Sequence, residues 1–350
     1  MDCREKALRV GLSAVLCAVI LRLFAGGLAG RAAAFLARPE MRAFLFYLET
    51  GRDVRSSLSE DAVVFSPESP EPVNPSPPPA EPETSAPEQE ATQPEEGSEE
   101  PVEFTREDAE GVAMYYGCDL RPDVKALLLS PSVLPRSESG PRVLIYSTHS
   151  TESYTPGEEV YAESAAYRTL DGDYNMLSVG GFVAQRLVEL GVETLVDDSV
   201  HDYPSYNGAY GHARKSIRSL LAEHPSVQLV LDLHRDASDT AAGQLRTLAA
   251  GGEDCAQLML VMGSDAGGLK HDHWQENLSL ALKLQVLLER LHPGITRPVC
   301  LRAQRFNQDL SPGCLLVEIG AAGNTRAEAL QAADVLARGV AELLKTIDGT

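Results

Sequence analysis

The stretch Val143-Leu-Ile-Tyr-Ser-Thr-His-Ser-Thr-Glu-Ser-Tyr154 begins as a buried strand and turns abruptly to small polar residues after Tyr146. His149 and Glu152 fall just past the strand's end, where α/β sheets collect their chemistry. Two later stretches repeat the arrangement. Val227-Gln-Leu-Val-Leu-Asp-Leu233 reads as a fully buried strand and stops at His234-Arg235-Asp236, and Cys314-Leu-Leu-Val-Glu-Ile-Gly320 carries Glu318 within an apolar run. Parallel strands end along one edge of a sheet, so two His and two Glu are expected to converge there.

Outward from these stretches, strands alternate with amphipathic helices. Helices are expected over Asn175–Leu190, Gly208–Glu223, Gln275–Leu291 and Thr325–Ile347. Further strands are expected over Glu193–Val196, Gln244–Ala250 and Gln257–Gly263, with Gln244–Ala250 a candidate antiparallel member. This alternation specifies an α/β fold, a mainly parallel or mixed central sheet with helices on both faces. The domain is expected over 141–350. Residues 102–140 read as its preamble, with an amphipathic piece around Asp119–Leu129.

The formal charge of −21 over 350 residues argues against nucleic acid as a partner, because phosphate binding needs clustered Lys and Arg. Most of that charge is local: Glu60 to Glu110 holds 16 acidic residues against the single Arg106. Residues 57–101 read as a disordered linker. Half of the chain's 22 prolines lie between Ser66 and Pro101, among Glu, Ser, Ala and Gln, which leaves nothing to build a core. Its physical use is reach, on the order of 100 Å at ~3.1 Å per residue.

Residues 1–56 read as a membrane anchor and a juxtamembrane helical segment. Arg4, Lys6 and Arg9 precede the apolar run Val10–Leu21, and apolar character resumes after Arg22 as far as Gly30. A helix from Leu8 to Gly30 is long enough to span a bilayer, and a cleaved signal peptide is the competing reading. Either one exports the rest, so the expected location is the cell membrane, single-pass, with the catalytic domain extracytoplasmic. Cys3, Cys17, Cys118, Cys255, Cys300 and Cys314 show no CxxC spacing, and the last four read as buried free thiols.

Zinc hydrolases use three protein ligands and one open position, and two His with one Glu is an established set. His149-x-x-Glu152 with a distant His234 supplies those types. The reading requires the two imidazoles to lie within about 8 Å, since ligand bonds of ~2 Å must share one ion. Asp171, Asp173 and Glu163 compete with Glu152 for the third place; Glu152 ranks first on the H-x-x-E spacing alone. Glu318, partly desolvated in an apolar strand, suits proton shuttling. A structural ion pair with Arg302 or Arg305 is its bland alternative. Arg235 is a candidate to stabilise an oxyanion or hold a substrate carboxylate. Arg302, Asn307 and Asn324 are candidate substrate contacts, with Asn324 alternatively the N-cap of the last helix. His271-Asp-His273-Trp has a metal-like look but reads as a substrate-facing or surface loop, and His212 as a solvated helix residue.

At these residues the chain resembles the stage II sporulation protein P family, cell-wall hydrolases of endospore-forming bacteria. The resemblance rests on Val143–Tyr154, Asp171–Asn175, Leu231–Asp236, Trp274–Leu278 and Cys314–Thr325, and covers residues 115–346. It implies a zinc amidase/carboxypeptidase-like fold and Zn2+-dependent cleavage of the N-acetylmuramoyl-L-alanine amide of peptidoglycan, with cleavage of peptide cross-links in some members. It also implies a role in engulfment, in the space between mother cell and forespore, with sporulation proteins D and M as partners. Carried over by position, His149 and His234 are metal ligands and Glu318 is the catalytic acid/base. Where the family often has a His, this chain has Ser147. A zinc peptidase using the same site on wall peptides is the alternative activity, and a non-catalytic wall-binding scaffold the remaining reading.

Overall fold

The computed structural model describes residues 102–132, 134, 139–156, 167–240, 243–250 and 254–348. The expected anchor over 1–56 and linker over 57–101 lie outside the described residues, as does Glu163. Among the described residues no helix is long and apolar enough to cross a membrane.

In chain order the elements are α1 (Arg106–Gly111), β1 (Met114–Tyr116), α2 (Val124–Leu129), β2 (Val143–Tyr146), α3 (Met176–Glu189) and β3 (Thr194–Val196). There follow α4 (Ala209–Glu223), β4 (Leu229–Asp236), the hairpin strands β5 (Asp239–Thr240) and β6 (Gly243–Gln244), and β7 (Leu258–Met262). The chain closes with α5 (Trp274–Leu291), β8 (Val299–Leu301), β9 (Cys314–Ala321) and α6 (Arg326–Asp348). Seven strands form one sheet in the order β1-β8-β7-β9-β4-β2-β3. Every neighbouring pair is parallel except β7 against β9, so the sheet is mixed.

Two expectations about strands are corrected. Gln244–Ala250 does not join this sheet: Gln244 ends a two-stranded hairpin, and Leu248 makes one isolated bridge to Ala256. The segment's backbone groups are taken elsewhere. Thr247 N donates to Asn324 Oδ1, Thr247 O accepts from Asn324 Nδ2, and Leu245 O accepts from Gly323 N. The antiparallel member is instead β7. The stretch read as a preamble supplies β1, which pairs with β8 at one edge of the sheet.

The helices sort by face. On β4, Leu229, Leu231 and Leu233 join the main core beneath α3, α5 and α6, whereas Val230 packs with Ala213 and Ile217 of α4. Side chains alternate with period two along a strand, so Asp232 and His234 stand on the α4 face. On β9, Leu315, Val317 and Ile319 belong to the main core and Cys314 and Leu316 to the other face. Glu318 therefore also stands on the α4 face. That face is apolar until its last turn of strand and then becomes polar, which is where a site can be built.

The edge is shaped by a bulge. His234 pairs with Glu318, but Asp236 pairs with Ala321, so β9 carries one extra residue. Gly320 makes the turn at φ 65, and a Cβ there would lie 2.9 Å from the Cβ of Ala256. Gly320→Ala should cost about 1–3 kcal/mol, the usual range for a strained left-handed residue; a urea midpoint equal to wild type would refute this.

The start of α6 is a capping box. Glu328 N donates to Thr325 Oγ1 and Thr325 N donates to Glu328 Oε2. Arg246 pairs with the same carboxylate, tying the β6–β7 connection to the helix. Cys255, Cys300 and Cys314 are buried.

Lys283 of α5 is buried and donates to Ser130 O, Ser132 Oγ and Ser279 Oγ. Burial pushes its ammonium down to about 8. Above that pH the folded chain has released the proton while the unfolded chain, titrating near ~10.4, still holds it. Stability therefore rises with pH through this window. Relative to Lys283→Met, wild type should gain on the order of 1–3 kcal/mol between pH ~8 and ~10; urea midpoints that change in parallel would contradict it.

Candidate active site

The end of β2 is fastened to β4 by one carboxylate. Asp232 accepts from Thr148 N at 2.8 Å and Thr148 Oγ1 at 2.7 Å, and its Oδ1 lies 2.9 Å from His234 Nε2. The last contact has an ion-pair distance without hydrogen-bond alignment, so His234 Nε2 has no hydrogen-bond partner among the described residues. His234 Nδ1 faces Glu152 Oε2 at 3.6 Å. His149 comes from the loop after β2, its ring centroid 5.3 Å from that of His234 and nearly perpendicular to it. The two imidazoles thus meet within the distance a shared ion requires.

Tyr206, in the loop before α4, and Tyr210, in its first turn, box in His149. Tyr206 stacks on it at 4.3 Å with ring planes 9° apart, and Tyr210 meets it edge-on at 5.6 Å. The β3–α4 loop that presents them is braced by Asp197, which accepts from Ser199 N and Ser216 Oγ and contacts His201 Nε2 at 3.1 Å. Asp202 of that loop accepts from Thr151 N and Oγ1 and lies 4.0 Å from His149 Nδ1.

The charges are arranged in opposition. Burial alone would raise the Glu152 carboxyl, but Arg235, His234 and Arg168 outweigh it and hold it well below the usual carboxylate range. Burial depresses His149 well below the ordinary imidazole value and keeps it neutral. For His234 burial acts the same way, yet Asp232 and Glu152 overcome it and raise the ring well above that value. Burial, with Asp232 adding to it, pushes the Tyr210 phenol far up, so its O–H stays neutral.

The remaining candidates are placed as follows. Glu318 sits opposite His234 in the β4–β9 register and opposite Met259 of β7. Arg235 is buried, its guanidinium donating to Ser153 O at 2.8 Å and Tyr167 O at 2.9 Å. Asp171 and Asp173 are exposed and bond within their own turn. Arg302 follows β8, which runs opposite to β9, so it emerges at the other edge of the sheet from Glu318. Arg305, the other expected partner of Glu318, pairs with Asp309. Asn307 donates to Tyr210 O at 2.7 Å and so backs the tyrosine rather than opening onto the imidazoles.

Asn324 is fully buried. Its Oδ1 accepts from Thr247 N and Ala321 N, and its Nδ2 donates to Thr247 O and Glu328 Oε2. That uses its hydrogen-bonding capacity, which corrects the expected substrate contact; the N-cap role falls to Thr325. His271 is buried, not on a surface loop, and lies after β7 with both ring nitrogens lacking hydrogen-bond partners among the described residues. His273 precedes α5 without a side-chain cap, and His212 Nδ1 contacts His201 O at 2.9 Å. The sequence reading missed Arg168, Asp202, Tyr206, Tyr210 and Asp232. Only Asp232 carried a signal, as a carboxylate two residues before His234 in an apolar strand.

The donor set fits zinc in kind: two buried imidazoles, His149 with its Nδ1 lacking a hydrogen-bond partner and His234 with its Nδ1 turned to Glu152, and one carboxylate kept ionised. Asp232 at His234 Nε2 is the outer partner that a ligating imidazole usually has. In arrangement the fit is incomplete. Among the described residues no group of three His, Cys, Asp or Glu is placed to hold a metal ion.

The profile of the family described as Stage II sporulation protein P matches residues 53–341. The chain belongs to the Stage II sporulation protein P family. A curated relative, Stage II sporulation protein P of Bacillus subtilis (strain 168), is 28% identical over an alignment of 221 positions that covers 58% of this chain and 51% of that protein. The chain thus spans about half the length of that relative. Among solved structures, this member of the family is similar to the N-acetylmuramoyl-L-alanine amidase AmiC2 of Nostoc punctiforme at 16% identity, covering 59% of this chain and 98% of that one, with a TM-score of 0.35. It is also similar to the CwlD amidase from Clostridioides difficile, solved in complex with the GerS lipoprotein, at 13% identity, 59% and 98% coverage and a TM-score of 0.37.

Proposed function

We propose that the chain is a zinc-dependent peptidoglycan hydrolase that cleaves the amide between N-acetylmuramic acid and L-alanine during sporulation. The observation that carries this reading is the meeting of His149, from the loop after β2, and His234 of β4 at 5.3 Å beside an ionised Glu152. Glu318 on the neighbouring strand stands in register with His234. Family membership supports the substrate class.

His149, His234 and Glu152 would hold the zinc ion. When bound, such an ion supplies Lewis acidity at the scissile carbonyl and makes water a better nucleophile near neutral pH. Glu318 takes a proton from the attacking water and gives it to the alanine nitrogen as the C–N bond breaks. Asp232 lies against His234 at Nε2, which leaves Nδ1 toward Glu152. Tyr206 and Tyr210 fix the His149 ring and keep bulk water from it. Arg235, bound to two carbonyls, sets the loop that carries Glu152 and is not free to meet an oxyanion.

Residues 1–56 anchor the chain in the membrane, and the linker 57–101 gives the hydrolase its reach into the wall. The sporulation proteins D and M are the partners proposed with it.

Product analysis tests the reaction. Full-length protein incubated with purified peptidoglycan should release intact stem peptides with a free L-alanine amino group and glycan strands with free lactyl carboxylates. Stem peptides shortened while still joined to muramic acid would replace the amidase with a peptidase at the same site. No release of any product would remove catalysis altogether.

A further inference from the structure

The most heavily engaged side chain beside the imidazoles is Arg168, which neither spacing nor composition singles out. Its backbone is fixed first: Arg168 and Glu152 form an antiparallel bridge, flanked by Thr169 N to Thr151 O at 2.9 Å and Ser153 N to Tyr167 O at 2.9 Å. Tyr167, just before it, holds φ 50, a left-handed value that side chains rarely adopt. That strained carbonyl is the one that receives Arg235. A short two-stranded clip therefore delivers the guanidinium to one place.

There Arg168 bridges two carboxylates. Nη2 donates to Glu152 Oε1 at 3.1 Å, and Nη1 donates to Asp202 Oδ2 at 2.8 Å and to Thr151 Oγ1 at 3.1 Å. Its Cζ lies 4.6 Å from the centroid of Tyr206, the ring stacked on His149. Glu152 Oε1 thus sits between two guanidinium groups, with Arg235 Nη1 3.9 Å away, while Oε2 faces His234. Arg235 is committed to backbone carbonyls, so the competitor that can be dislodged is Arg168.

We propose that Arg168 is a positioning residue that competes with the bound divalent cation for the Glu152 carboxylate. This rests on the zinc reading above. To serve as a ligand Glu152 would have to leave Arg168, and Asp202, already bonded to Nη1, would keep the arginine in place. The bridge holds Glu152 preorganised, at a cost in metal affinity.

The test is zinc affinity of the full-length protein, read by competition with a chromophoric chelator and checked with the cobalt absorption spectrum. Arg168→Gln should bind zinc about tenfold more tightly than wild type, the low end of the 10–100-fold by which outer partners tune a metal site. Arg168→Lys keeps the charge but cannot bridge both carboxylates, and should fall between the two; it serves alone if the Gln variant does not fold. A merely structural arginine gives the opposite sign, because loosening the loop weakens binding. Unchanged or weaker zinc affinity in a folded variant, with wild type binding zinc, overturns the clasp and leaves the zinc reading standing. Wild-type protein that takes up no zinc overturns both.

Discussion

Glu318→Gln should lower turnover on peptidoglycan by roughly a thousandfold, within the ~10²–10⁴ that a positioned acid or base contributes. Zinc content should stay at the wild-type level. Glu318 stands on the α4 face opposite His234 in the register, beside the ligands rather than among them. Gln keeps the shape and the hydrogen-bonding atoms of that side chain but cannot accept the water's proton. The folded state should lose little, because the amide fills the same space on the α4 face of β9 as the carboxyl does. Full turnover by the variant would take the acid/base role away from Glu318. Lost zinc together with lost turnover would make it a ligand instead, and Glu152 would then be the residue to re-examine.

The three apolar strands that end in polar residues were legible because burial on both faces leaves an unbroken run, and a His or Glu inside one stands out. β2, β4 and β9 accordingly lie side by side and bring His149, His234 and Glu318 together. The helices were legible from their stripes, α6 with Ala329, Ala332, Ala333, Leu336 and Val340 as the clearest. What escaped was decided by tertiary pairing. β1 and β8 have three residues each, too few to show a period. Strand direction is not written in side chains at all, so the reversal of β7 and β8, which carries Arg302 to the far edge, had no local signal. Arg168, Asp202 and Tyr206 sit in loops without period. Their roles come from two carboxylates and one aromatic ring meeting a guanidinium across the chain.

His234→Ala should abolish zinc binding, and it should also destabilise the metal-free protein more than His149→Ala does. Both variants lose a proposed ligand, so both should fall from stoichiometric to undetectable zinc. Their folds pay differently. His234 lies between Asp232 and Glu152, and those carboxylates raise its pKa, so the metal-free ring is held as a cation against them. Taking it away leaves two buried acids facing a gap, a loss on the scale of about 3–5 kcal/mol for a broken buried ion pair. Arg168 and Arg235 still hold Glu152, and Thr148 still holds Asp232, which keeps the loss from growing further. His149 is kept neutral by burial and touches mainly the rings of Tyr206 and Tyr210. Its removal strands no charge and costs packing alone, about 1–3 kcal/mol for a partly refilled cavity. Urea unfolding of the chelator-treated proteins at pH 7 measures the difference directly. Equal midpoints for the two variants would deny that His234 is charged in the metal-free fold, and zinc retained by either would end the shared-ion reading.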